Sequence, residues 1–139
     1  MRDEIDENET GLLMAMFILL VDDDREDLEI YKQLFEIIDP GIVTRSFLDP
    51  REALLWLLQS TQLPSLTILD FNMPKMTGLE FLKRVRGNAD MASLKVTVVT
   101  TSCNPRDEEE LLRLGAECYI KPAGLDEFKA LLEILVVRK

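Results

Sequence analysis

The chain has 139 residues, 47% of them hydrophobic and 30% charged, which is the size and make-up of one globular domain with a real core. Its formal net charge of −10 offers no basic stripe to phosphate backbones or anionic lipids, which argues against nucleic acid and membrane surfaces as partners. It has no histidine and two cysteines, Cys103 and Cys118, so Ser-His-Asp and Cys-His catalysis and histidine metal sites are excluded; two reduced thiols are expected.

Residues 1–16 read as an acidic N-terminal extension leading into the first strand, with Asp3, Glu4, Asp6, Glu7 and Glu9 against a single Arg2. The apolar run from Leu12 to Val21 is too short to span a membrane, and its acidic flank is unlike that of a signal peptide. The cytoplasm is the expected location. Residues 17–139 read as one domain in which strand and helix alternate. Phe17–Val21 is a buried strand, and Arg25–Ile38 a helix with Leu28, Tyr31, Phe35 and Ile38 on one face. Asp39-Pro40-Gly41 ends it, and Ile42–Phe47 is the second strand. Asp49 and Pro50 supply an N-cap and a first-turn proline for a helix to about Gln59.

Ser65–Asp70 is the third strand, and its last residue is a carboxylate followed at once by turn residues. Thr77 and Glu80 form a capping box for the helix Gly78–Arg86. Lys95–Thr100 is the fourth strand, and Asn104-Pro105 starts a helix to about Leu114 that Gly115 closes. Glu117–Ile120 is the fifth strand and Leu125–Val137 the fifth helix. Five strand–helix units with short connections imply a doubly wound α/β fold, a five-stranded parallel sheet with helices on both faces.

In such a sheet every strand ends on one edge, where open α/β sheets bind ligands. Asp22 and Asp23 follow the first strand, Asp70 ends the third, Thr100 ends the fourth, and Lys121 follows the fifth. Two carboxylates about 4 Å apart repel by roughly 4 kcal/mol at an effective dielectric near 20. Three together need a cation or must take up protons. An all-oxygen set points to Mg²⁺, with Lys121 as a second positive charge and Thr100 as a hydroxyl donor. Cation, ammonium and hydroxyl around one carboxylate suit phosphoryl transfer, with Asp70 as the nucleophile.

Four stretches carry a resemblance: Leu19 to Asp24, Leu69 to Gly78, Val99 to Ser102, and Tyr119 to Pro122. Together they resemble the receiver domain of two-component response regulators, over about Phe17 to Val137. The resemblance implies a flavodoxin-like, CheY-like sheet of order 2-1-3-4-5. It implies phosphorylation of Asp70 by a sensor histidine kinase or histidine phosphotransfer protein, and signalling by docking to a downstream protein. It implies Mg²⁺ on Asp23, Asp70 and the backbone carbonyl of Asn72, with Asp22 helping through water. Thr100 and Lys121 would contact the phosphoryl group. Such a protein is a phosphoacceptor with slow self-dephosphorylation, not an enzyme acting on other molecules. Since the sequence ends just after the fifth helix, a stand-alone receiver is expected, with a homodimer left open.

Two departures from the family pattern stand out. Thr101 occupies a place usually held by a small residue, and the segment from Gly115 to Lys121 is one residue short. Counted from Gly115, Tyr119 takes the place of the family's switch aromatic; counted back from Lys121, Cys118 does. The larger apolar contact of a buried ring favours Thr100 and Tyr119 as the switch pair. Two other readings compete. Asp22 and Asp24 form the Asp-x-Asp of haloacid-dehalogenase-type phosphatases, which would make Asp22 the nucleophile of a Mg²⁺-dependent hydrolase. A pseudo-receiver, a binding module that takes no phosphate, is the other.

Overall fold

The computed structural model describes residues 16–137, so all but the last residue of the acidic extension lies outside the described residues. Five strands alternate with five helices: β1 (Phe17–Val21), α1 (Arg25–Ile38), β2 (Val43–Phe47), α2 (Pro50–Gln59), β3 (Leu66–Leu69), α3 (Gly78–Arg86), β4 (Val96–Thr100), α4 (Pro105–Arg113), β5 (Glu117–Ile120) and α5 (Leu125–Val137). The strands form one parallel sheet of order β2-β1-β3-β4-β5, as expected. Among the described residues no helix is long and apolar enough to cross a membrane.

Four of the five helices start where a short polar side chain takes up free amides. Asp24 accepts from Glu26 and Asp27 at the head of α1, Asp49 from Arg51 at α2, and Asn104 from Asp107 at α4. At α3 the capping box closes in both directions: Thr77 Oγ1 accepts from the Glu80 amide at 3.1 Å, and the Glu80 carboxylate accepts from the Thr77 amide at 2.8 Å. The sheet then divides the core by strand alternation. Ile18, Leu20, Leu66, Ile68 and Val99 face α1 and α5, where Tyr31, Phe35, Phe128 and Leu132 are buried. Leu19, Val21, Leu69, Val96 and Val98 face α2, α3 and α4, against Leu57, Phe81, Leu82 and Leu111.

Two core positions bear on stability. Thr67, wholly buried on β3, has a hydroxyl with no hydrogen-bond partner. Valine has nearly its shape without the stranded polar atom, so Thr67→Val is expected to raise unfolding free energy by about 1–2 kcal/mol, read as a higher urea midpoint with an unchanged slope. Gly78 does the opposite kind of work. A Cβ there would lie 2.7 Å from the Asp70 carbonyl oxygen and 3.0 Å from Phe71 Cα. The missing side chain lets the first turn of α3 press against the backbone that carries Asp70. Gly78→Ala is therefore expected to cost about 1–3 kcal/mol by overpacking, and chemical-shift changes at Asp70 and Phe71 should accompany the loss.

The short segment after α4 decides the facing of β5. Gly115 adopts a φ of +82°. Its amide donates to the Leu112 carbonyl, and the Ala116 amide to that of Leu111, a Schellman closure. β5 follows immediately, with Val98 opposite Cys118, Val99 opposite Tyr119 and Thr100 opposite Ile120. Cys118 thus packs on the α4 side of the sheet, while Tyr119 packs on the α1–α5 side. The favoured pairing of Thr100 with Tyr119 is corrected, because Thr100 lies opposite Ile120 and Tyr119 opposite Val99, on the two different faces of the sheet. Register is kept from Lys121, whose amide donates to the Thr100 carbonyl at 2.8 Å, and not from Gly115.

Candidate functional site

The carboxyl ends of β1, β3, β4 and the residue after β5 meet at one edge of the sheet, and the expected side chains come with them. Asp22, Asp23 and Asp70 each offer a carboxylate oxygen, and these atoms lie within 4.8 Å of one another. Asp22 and Asp70 are buried and Asp23 is exposed, so the cluster opens to solvent on one side. Asp22 is fixed by the Asp24 amide, which donates to its Oδ1 at 2.9 Å. Asp70 continues the ladder beyond β3, its amide donating to the Val21 carbonyl at 2.9 Å, while its Oδ1 accepts from the Phe71 amide at 2.8 Å. The wholly buried Thr100 hydroxyl donates to the Ser102 carbonyl at 3.3 Å and is near enough to Asp70 to oppose the rise of its pKa.

Lys121 lies over this cluster, and its side chain is only 9% exposed. Its Nζ donates to Asp22 Oδ2 at 2.9 Å and to Asp27 Oδ2 at 2.6 Å. It stands 3.9 Å from Asp70 Oδ1, an ion pair but beyond hydrogen-bond reach. Burial works against the ammonium, yet the bonds to Asp27 and Asp22 outweigh it and raise the Lys121 pKa. The carboxylates go the other way from most ion-paired acids. Burial, opposed by Lys121 and assisted by the charge of Asp70, pushes Asp22 up to about 6. Burial likewise raises Asp70, against the opposing Lys121 charge and the Thr100 hydroxyl. Even the Tyr31 hydroxyl beneath is pushed well above its ordinary value, first by burial and then by Asp22, Asp27 and Asp70.

One ammonium does not balance this cluster. Oxygen donors only, close together and open to solvent on one side, with Asp22 and Asp70 ionising against burial, fit a hard divalent cation. Asn72 lies in the exposed loop after Asp70 with its side-chain amide donating to the Ser102 carbonyl at 3.0 Å, so it ties the β3 loop to the β4 loop. Thr101 is exposed. Cys103 and Cys118 are free thiols, with burial raising both and pushing Cys118 up to about 12.

Asp27 is the member to which sequence reasoning gave no role. It lies in the first turn of α1, three residues after the N-cap Asp24, where the start of the helix adjoins the end of β1. Asp24, the second acid of the Asp-x-Asp reading, is spent on capping α1, since its Oδ1 accepts from the Glu26 amide at 2.9 Å.

Residues 18–133 match the family described as the response regulator receiver domain. The chain belongs to that family. Response regulator Rcp1 of Synechocystis sp. (strain ATCC 27184 / PCC 6803 / Kazusa) is 29% identical over 112 residues, 74% of each chain. Polar-differentiation response regulator DivK of Brucella ovis is 27% identical over 117 residues, 83% of this chain and 91% of that one. Among solved structures, the phosphorylated cyanobacterial phytochrome response regulator RcpA superimposes with a TM-score of 0.78 at 26% identity, covering 87% of this receiver and 91% of RcpA. The Mn²⁺-bound form of Rcp1 gives 0.76 at 27% identity, over 86% and 91%. The receiver fold expected from the sequence, with its CheY-like strand order, is the fold of this chain.

Proposed function

We propose that this receiver takes a phosphoryl group onto Asp70 from a partner histidine kinase or histidine phosphotransfer protein and signals by docking to a downstream protein. The observation that carries the reading is the convergence of Asp22, Asp23, Asp70, Thr100 and Lys121 from four strand ends on one carboxylate. Asp70 attacks phosphorus, an O–P bond forms, and the donor's N–P bond breaks with its electron pair leaving on nitrogen. The donor histidine lies outside these 139 residues, which contain none.

Asp22, Asp23, Asp70 and the Asn72 carbonyl would hold Mg²⁺, which supplies charge neutralisation to the incoming phosphoryl oxygens. A divalent ion in the related Rcp1 structure supports that assignment. The chain's own residues do the remaining work. The Phe71 amide orients the Asp70 carboxylate, the Thr100 hydroxyl is placed to turn from the Ser102 carbonyl to a phosphoryl oxygen, and Lys121 adds positive charge beside it. Incubation of the intact chain with acetyl phosphate and Mg²⁺, followed by intact mass and peptide mapping, tests this. One phosphoryl group on Asp70 is the expected result; none, or steady hydrolysis of phosphate esters through Asp22, overturns it.

A further inference from the structure

The acid that approaches Lys121 most closely is not one of the strand-end carboxylates. Asp27 Oδ2 lies 2.6 Å from Nζ, shorter than the 2.9 Å to Asp22 and the 3.9 Å to Asp70. Asp27 belongs to α1, and α1 is anchored at this point: Asp24 caps it, and Leu28 and Tyr31, the next residues on its inner face, are buried. Its carboxylate is 21% exposed, so the charge-assisted bond is partly shielded from water. Lys121 is therefore held from two sides, by a residue that the cation would claim and by one outside the cation cluster.

The consequence follows from counting charges. While Asp22 pairs with Lys121, the ammonium competes with any cation for the Asp22 lone pairs. An ammonium released from Asp22 with no other anchor would move toward Asp70, the remaining carboxylate, and would cover the nucleophile. With Asp27 present it has a second acceptor at closer range. From there Nζ sits beyond hydrogen-bond distance of Asp70, which leaves the attacking Oδ1 uncovered by the ammonium.

We propose that Asp27 is the positioning residue for Lys121: it keeps the ammonium from hydrogen-bonding and covering Asp70 and frees Asp22 for the cation. This rests on Asp70 being the phosphoacceptor, and the test separates the two ideas. Mg²⁺ affinity by calorimetry and phosphorylation rate with acetyl phosphate are measured for the intact chain, Asp27→Asn, Lys121→Ala and the double variant. Asn keeps the size of Asp27 but loses the charge-assisted bond. Its expected effect with Lys121 present is about tenfold weaker Mg²⁺ binding and about tenfold slower phosphorylation, because Lys121 falls back on Asp22 and Asp70. In the Lys121→Ala background, the same change should alter Mg²⁺ affinity by less than about twofold, since only the distant charge is then lost.

Equal shifts in Mg²⁺ affinity in both backgrounds, or no shift in either, overturn the assignment whatever the phosphorylation rate does. If the unaltered chain takes up no phosphoryl group, the phosphoacceptor reading fails, and the Mg²⁺ cycle still decides whether Asp27 acts through Lys121.

Discussion

Asp70→Asn should leave the receiver folded and take phosphorylation by acetyl phosphate down to background. The amide has the shape of the carboxylate, and its oxygen can still accept from the Phe71 amide that now meets Oδ1 at 2.8 Å. What disappears is the negative oxygen that attacks phosphorus, and an amide does not replace it. Stability is expected to hold or rise, because Asp70 ionises against burial and against the charge of Asp23. The loss of the 3.9 Å ion pair with Lys121 is a small offset, since that ammonium keeps its shorter bonds to Asp22 and Asp27. Circular dichroism and the thermal midpoint check the fold, and intact mass checks the chemistry. Phosphate that persists in Asp70→Asn and maps to Asp22 or Asp23 would move the nucleophile and with it the whole reading of the site.

The architecture was legible because local signals and the apolar pattern agreed at nearly every element. Caps at Asp24, Asp49, Thr77 and Asn104 mark helix starts in the sequence and are the groups that cap the helices in the structure. Boundaries moved by a residue where a turn claimed a backbone group. Ile42 drops out of β2 because its amide donates to the Asp39 carbonyl that closes α1. The strand-end residues of the site were equally legible, since a parallel sheet sends every carboxyl end to one edge.

What the sequence left undecided was register and reach. A one-residue shortening has two placements in a linear count, and they differ in which side chain faces α4. Only three-dimensional closure chooses. The Schellman turn at Gly115 and Ala116 leads straight into β5, and the bond from the Lys121 amide to Thr100 fixes the far end. Tyr119 consequently falls on the α1–α5 side, and Cys118 faces α4. Asp27 escaped for a different reason. In sequence it is one acid among Glu26, Glu29 and others on α1, and only the length and direction of Lys121 make it a partner across the site.

The metal-free receiver should become more stable, not less, as pH falls from 7.5 to 5. The sign follows from Asp22. Its pKa in the folded chain is about 6, against 3.8 as the ordinary value, so between those values the folded state binds more protons than the unfolded one. Stability then declines as pH rises through that window, by on the order of 1–2 kcal/mol between pH 5 and 7.5, and the raised Asp70 acts in the same direction. Lys121 does not mask the effect. Its pKa is raised above 10.5, so its contribution is constant until pH climbs past that value. Asp49, lowered to about 2 beside Arg51, loses its contribution only below 3.8. Mg²⁺ should reverse the trend by replacing the protons: a hundredfold excess over its dissociation constant adds about 2.7 kcal/mol at pH 7.5, or on the order of 8 °C in thermal midpoint. At pH 5 the gain should shrink, because protonated carboxylates do not hold the ion. Asp23→Ala should abolish most of the gain at pH 7.5, since it removes the one exposed member of the cluster. Midpoints that rise from pH 5 to 7.5 without Mg²⁺ would mean that Lys121 alone balances the acids, and a full Mg²⁺ gain in Asp23→Ala would place the cation elsewhere.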